Sequence, residues 1–190
     1  MGKATAELTF SERFKIGRLS VLVGAVVLLV GATVAAVGSP QSEEQRGFRF
    51  EIVVDGAARS EPVDGRVILI VSDDDSREPR FQRLRSPDAP AIYGVDVDGL
   101  EPGESAIINA DTRGWPLESI GEIPAGDYYV QAVLNVYTTF QRADGHTIKA
   151  HMDQWEGQQW NRSPGNLLSD VQRVRVDPNS TAPIRVTLSQ

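Results

Sequence analysis

Proline divides this chain in two. All 11 prolines lie at position 40 or later. Proline has no backbone donor and clashes with the preceding helical turn, so it is confined to turns, first helical turns and strand edges. Together with recurring glycines, it cuts residues 40–190 into pieces too short for long helices. Within those pieces the apolar residues recur every second position, which is the strand period, and no sustained helical stripe appears. Phe48, Phe50, Ile52 and Val54 alternate with Arg49, Glu51 and Val53. Residues 67–71, VILIV, are continuously apolar and suit a strand covered on both faces. Tyr93, Val95 and Val97 alternate with Gly94, Asp96 and Asp98. Residues 106–108 form a short strand, and Tyr128, Val130, Ala132, Leu134 and Val136 are the inward set of the longest one, backed by Tyr129, Gln131, Val133, Asn135 and Tyr137. Val174 and Val176, then Ile184, Val186 and Leu188, supply the last two.

Between the strands, Arg142-Ala143-Asp144-Gly145 carries the Asp-Gly pair of a hairpin turn, so a strand over residues 146–149 is expected to return against the long one. Residues 117–120 can form one helical turn after Pro116. Seven or eight short strands predict an all-β domain, an antiparallel immunoglobulin-like β-sandwich over residues 48–190, with a closed barrel as the alternative. The long loops fall at residues 73–91, 110–122 and 151–169, where binding is expected on such a scaffold.

Before the first proline the pattern changes. Residues 19–37, LSVLVGAVVLLVGATVAAV, carry no charge. Nineteen residues approach the roughly 20 that cross a hydrocarbon layer. Lys3, Arg13, Lys15 and Arg18 precede the run, while Glu43 and Glu44 follow it, so the amino terminus is expected to stay in the cytoplasm. The domain organisation read from this is a cytoplasmic basic segment (1–18), a transmembrane or signal-anchor helix (19–38), a polar linker (39–47) and the β-domain (48–190). The length of the run favours a retained single-pass anchor in the cell membrane over a cleaved signal, although small residues at positions 34–38 offer cleavage sites. Cleavage would leave a secreted or periplasmic protein.

Residues 1–38 hold four of the 19 basic and two of the 26 acidic residues, leaving 15 and 24 and a net charge of −9 for the rest. Such a domain lacks the clustered Lys and Arg that a nucleic-acid surface needs. There are no cysteines, which excludes disulfides, thiolate metal sites and a cysteine nucleophile. An exported domain of this kind is held by its core alone.

Catalytic patterns are missing. No Gly-x-Ser-x-Gly elbow and no phosphate-binding glycine loop occurs, and Ser163 precedes Pro164 in a turn context. The two histidines, His146 and His151, would fall on opposite strand faces. Asp73, Asp74 and Asp75 with Glu78, and Asp96 and Asp98 with Glu101 and Glu104, offer hard oxygens but lack calcium-loop spacing, and solvated turns explain them. No cofactor, metal or catalytic residue is expected. The distinctive loop is residues 153–162, DQWEGQQWNR. Trp155 and Trp160 offer faces for sugar rings, with Gln158, Gln159, Asn161 and Arg162 as hydrogen-bonding partners and Trp115 and Tyr137 extending the platform. Equally, tryptophans in a long loop anchor it, each indole N–H held by a carbonyl.

The segments VDGRVILIVSDDDSREPRFQ, YGVDVDGLEPGE, EIPAGDYYVQAVLNVYTTFQRADGH and EGQQWNRSPGNL resemble the amino-terminal region of large exported bacterial esterases, in which a β-sandwich precedes an α/β-hydrolase domain of the esterase D type. The resemblance covers about residues 60–190, and the hydrolase part is absent from this sequence. It implies a non-catalytic accessory module with no catalytic residue to carry over. The expected function is therefore a membrane-tethered or exported interaction module whose partner is a hydrolase. The alternative is a carbohydrate-binding module using the loop tryptophans.

Overall fold

The computed structural model describes residues 47–86, 88–152 and 159–190. The apolar run at 19–37 lies outside the described residues, and among those described no helix is long and apolar enough to cross a membrane. The described chain is all-β. Its strands are β1 (Phe50–Val54), β2 (Val63–Ser72), β3 (Ala91–Leu100), β4 (Ser105–Ile108), β5 (Gly114–Trp115), β6 (Gly126–Val136), β7 (Thr138–Gln141), β8 (Thr147–Ala150), β9 (Leu167–Leu168), β10 (Gln172–Val176) and β11 (Ile184–Leu188). Short 3₁₀ turns occupy Pro79–Phe81 and Ile120–Glu122.

The strands form three sheets. The smaller main sheet has the order β11-β1-β4, with β1 parallel to β11 and antiparallel to β4. The larger runs β10-β6-β2-β3-β5 and is antiparallel throughout, with β9 on the same edge of β6 as β10. β7 and β8 pair as a separate hairpin. One core joins the two main sheets. Phe50, Ile52 and Val54 of β1, Ala106 and Ile108 of β4, and Val186 and Leu188 of β11 share a single buried cluster with Val67, Leu69, Val71, Tyr93, Val130, Ala132, Leu134 and Val176. Complete burial of each Val, Leu, Ile or Phe contributes about 1.5–3 kcal/mol, so these alternating residues carry the fold. Along one edge the sheets are also stitched together: Ser169 bridges to Leu188, and the Leu168 N–H donates to the Gln190 carbonyl at 2.9 Å.

The alternation read from the sequence matches the strand faces. Even-numbered residues of β6 and odd-numbered residues of β2 and β3 enter the core, while Asp96 and Asp98 face out. The VILIV run is covered on both sides, because Ile68 and Ile70 join Val133 in a second buried cluster on the outer face of the larger sheet. The Glu101–Glu104 turn has Pro102 second and Gly103, at φ +85°, third, which is the signature of a type II turn.

Three expectations are corrected. Among the described residues the strands number eleven rather than seven or eight: β5 and β9 are two residues long and too short to show a period, and β7 follows β6 after a single residue. The strand after the Asp144-Gly145 turn returns against β7, not against the long β6. The helical turn lies at Ile120–Glu122 rather than 117–120, since Ser119 caps it by accepting from the Gly121 N–H at 3.2 Å. The outer face of β6 is buried as well: Gln131 is 3 % exposed and Asn135 5 %.

The β7–β8 hairpin is latched to the sheet by charge. Lys149 bridges Asp64 at 2.8 Å and also pairs with Asp98. The hydrogen bond from Lys149, then the Gly99 N–H, holds the Asp64 carboxyl down at about 2, from an ordinary 3.8. A depressed carboxylate stabilises above its unfolded value and loses that stabilisation as pH falls through the folded one. Amide exchange of residues 138–150 is therefore expected to stay slow down to about pH 4 and to quicken between about pH 4 and 2. In Lys149→Met the same amides should exchange quickly at pH 7. A wild-type exchange profile flat across that acid window, once corrected for intrinsic rates, would dispose of the latch.

Candidate functional site

The outer face of the larger sheet carries the most structured surface. Its residues fall into rows set by register. Trp115 of β5 lies opposite Ile92 of β3, which lies opposite Ile70 of β2, which lies opposite Gln131 of β6. The next row is Gly94, Ile68, Val133 and Leu168, and the one after it Asp96, Arg66 and Asn135. Residues directly opposite one another point to the same side, so Trp115, Ile92 and Ile68 share one face.

Onto this face comes Trp160, from the segment between β8 and β9. It is half-buried against the cluster of Ile68, Ile70 and Val133, beside Ile92 and Leu168. Polar contacts fix its backbone. Asn166 donates to the Trp160 carbonyl at 2.6 Å and accepts from the Val136 N–H at 3.2 Å. Asn161 donates to the Arg80 carbonyl at 2.9 Å, and the Arg80 guanidinium donates back to the Asn161 carbonyl at 3.1 Å. Arg80 is in turn tied to β6: its N–H donates to Gln131 Oε1 at 3.2 Å, and its guanidinium bonds Glu78 at 2.7 Å. The Arg80 hydrogen bond, with that of Gln131, holds the Glu78 carboxyl below its usual range. Thus the buried glutamine at 131 supports the loop that carries the tryptophan.

Trp115 and Trp160 wall one concavity of about 220 Å³. Its floor is Ile68, Ile92 and Gly94, and Arg66 and Arg113 stand at its margin. Gly94 leaves part of this space open, whereas Gly114, opposite Tyr93, leaves room for the Tyr93 ring on the core side. A Cβ on Gly94 would come 2.8 Å from Arg66 Nε, and one on Gly114 would come 2.3 Å from the Tyr93 ring. Arg66 accordingly lies flat over Gly94, donating to its carbonyl at 3.2 Å and to Asp96 at 2.9 Å. Tyr93 faces the other way, into the core, where its hydroxyl donates to the Ser119 carbonyl at 3.1 Å and burial pushes its pKa up.

The structure therefore brings together Trp115 and Trp160, 45 residues apart in sequence. Other residues of the expected ligand surface are placed differently. Gln159 is exposed beyond the concavity. Asn161 turns back to hold Arg80, and Arg162 lies 6.0 Å from the Phe81 ring centroid. Tyr137 donates to Asp96 at 2.9 Å in the adjacent row. Trp155 and Gln158 lie outside the described residues. Sequence reasoning missed Arg66, Ile68, Ile92, Gly94 and Arg113. One signal was available: a glycine in mid-strand, as at Gly94, marks a place where something lies close over the backbone.

The acidic groups are engaged by protein donors. Asp74 accepts from the Ser76 N–H and hydroxyl, both at 2.8 Å, which lowers its pKa, and Asp75 accepts from the Tyr129 hydroxyl at 3.0 Å. Asp96 takes Arg66 and Tyr137, and Asp98 takes Lys149. Among the described residues no group of three or more His, Cys, Asp or Glu is arranged to hold a metal ion. His146 sits on the hairpin, 3.2 Å from Asp144. What the concavity offers is flat faces and hydrogen-bond donors, the elements of recognition. No family model, no curated protein and no solved structure matches this chain.

Proposed function

We propose that residues 48–190 form a non-catalytic binding module, an immunoglobulin-like sandwich that is tethered to the cell membrane or exported and that recognises glycans through the cleft between Trp115 and Trp160. The observation that carries this reading is the convergence of two indoles from distant segments on one open concavity. The size of the site argues for a small or chain-like ligand. A stable protein interface covers about 800 Å² on each partner, whereas 220 Å³ between two indoles accommodates one or two sugar rings. Carbohydrate rings present a flat C–H face to an aromatic plane, and their hydroxyls take the guanidinium N–H donors at the rim. An esterase-type hydrolase acting beside the module is the protein partner that the resemblance implies, with the cleft holding the polymer near it. The sandwich reading rests on two facing sheets around one core and on the parallel pairing of the first and last strands. The extracytoplasmic reading rests on the apolar run and its basic flank.

The test is a titration of residues 44–190 with a panel of neutral and charged oligosaccharides, followed by tryptophan fluorescence. Trp115 is 47 % exposed, so occupancy of the cleft is expected to shift its emission. Saturable shifts with at least one glycan class are the expected result, and a featureless panel would end the glycan reading.

A further inference from the structure

We infer that the ligand is an anionic glycan, one whose sugar ring bears a carboxylate, and that Arg113 is the residue that selects it. This rests on the glycan reading of the cleft. Charge segregation points to it. The β-domain is strongly acidic, with a net charge of −9 beyond residue 38, yet among the described residues no Asp or Glu lines the concavity, whereas two arginines do. The two differ in state. Arg66 is matched by Asp96 and the Gly94 carbonyl, so its charge is compensated within the domain. Arg113 is exposed, and among the described residues its guanidinium has no hydrogen bond or ion pair. Among the described residues, one positive charge without a partner therefore stands beside the stacking walls.

The geometry of the groups fits a uronate. Arg113 immediately precedes the Gly114–Trp115 strand, so its backbone is held by the same pairing that fixes the Trp115 wall. A planar guanidinium binds a carboxylate through two parallel N–H donors, which a hydroxyl cannot match. A uronate ring stacked on Trp115 would carry its carboxylate at the ring edge, and Arg113, two residues before Trp115, lines the same concavity. The surrounding acidity acts in the same direction as selectivity. It disfavours anions over most of the domain's surface, so a carboxylate ligand depends on a local cation such as Arg113.

The probes are trigalacturonate and its fully methyl-esterified form, which differ in charge and not in ring structure, with a neutral trisaccharide panel alongside. They are titrated by tryptophan fluorescence against residues 44–190 and against Arg113→Gln. The acid is expected to bind about tenfold more tightly than the ester. Arg113→Gln should erase that preference, with the melting curve unchanged because the side chain holds nothing in the fold. Equal affinity for acid and ester, or a preference that survives in Arg113→Gln, would overturn the uronate assignment. Binding confined to the neutral panel would also overturn it and would leave the glycan reading standing. Binding to none of the probes would remove both.

Discussion

Leu134→Asp is expected to unfold the domain. Leu134 is fully buried on β6, opposite Val67 of β2 on one side and Leu167 of β9 on the other, in the cluster that joins the two main sheets. A carboxylate there has no donor to meet it, and an unpaired charge in an apolar core costs several kcal/mol even after relaxation. That is comparable with the whole stability of a domain this size, about 5–15 kcal/mol. Chemical denaturation of residues 44–190 measures it. Ser60→Asp, at an exposed position between β1 and β2, is the neutral control and should move the midpoint little. Gln131→Asp falls between. It leaves the Ser169 carbonyl without its 3.3 Å donor and sets a second carboxylate beside Glu78, so a loss of about 1–3 kcal/mol is expected. A cooperative, near wild-type transition in Leu134→Asp would mean that the register of β6 is wrong by one residue.

Trp160→Ala and Trp115→Ala should separate packing from recognition. Trp160 is half-buried on Ile68, Ile70, Val133 and Leu168, so truncation leaves a gap over the sheet and should cost about 3 kcal/mol, at the low end for a tryptophan. For a domain near 150 residues that is a drop in Tm of about 10 °C. Trp115 stands on an edge strand, half in solvent, and its loss should cost under about 1 kcal/mol. Both variants should lose glycan binding. Trp115→Ala is the sharper of the two, because it removes one wall without loosening the other. A stable Trp115→Ala protein that binds glycan as well as wild type would show that the cleft is not the binding site.

The two tryptophans also show how far a single sequence can be read. The sequence leaves two readings open for the loop tryptophans Trp155 and Trp160, sugar platform or loop anchor, with Trp115 only extending the platform. In the tertiary structure Trp160 packs against the second apolar cluster and also lines the concavity, so anchoring the loop does not remove it from the surface. Asn161 and Arg162, expected beside the ligand, serve the loop instead, because the carbonyl of Arg80 and the ring of Phe81 lie within their reach.

Strand identity was a local property of this chain. Alternation at period two, the VILIV run and the Pro-Gly and Asp-Gly turns are written within windows of five to ten residues, and the side-chain period of an extended chain converts them directly into faces. The absence of cysteine and the acidic balance were likewise visible without a fold. Which strands lie side by side was not local. The parallel pairing of β1 with β11, the two-residue strands β5 and β9, and the burial of Gln131 and Asn135 depend on segments tens of residues apart meeting on one sheet. The cleft belongs to that second kind. Its floor comes from β2 and β3, one wall from β5 and the other from the segment before β9, and part of its depth from the side chain that Gly94 does not have. No single stretch of sequence encodes it, because a concavity is a relation between elements that only chain closure brings within contact distance.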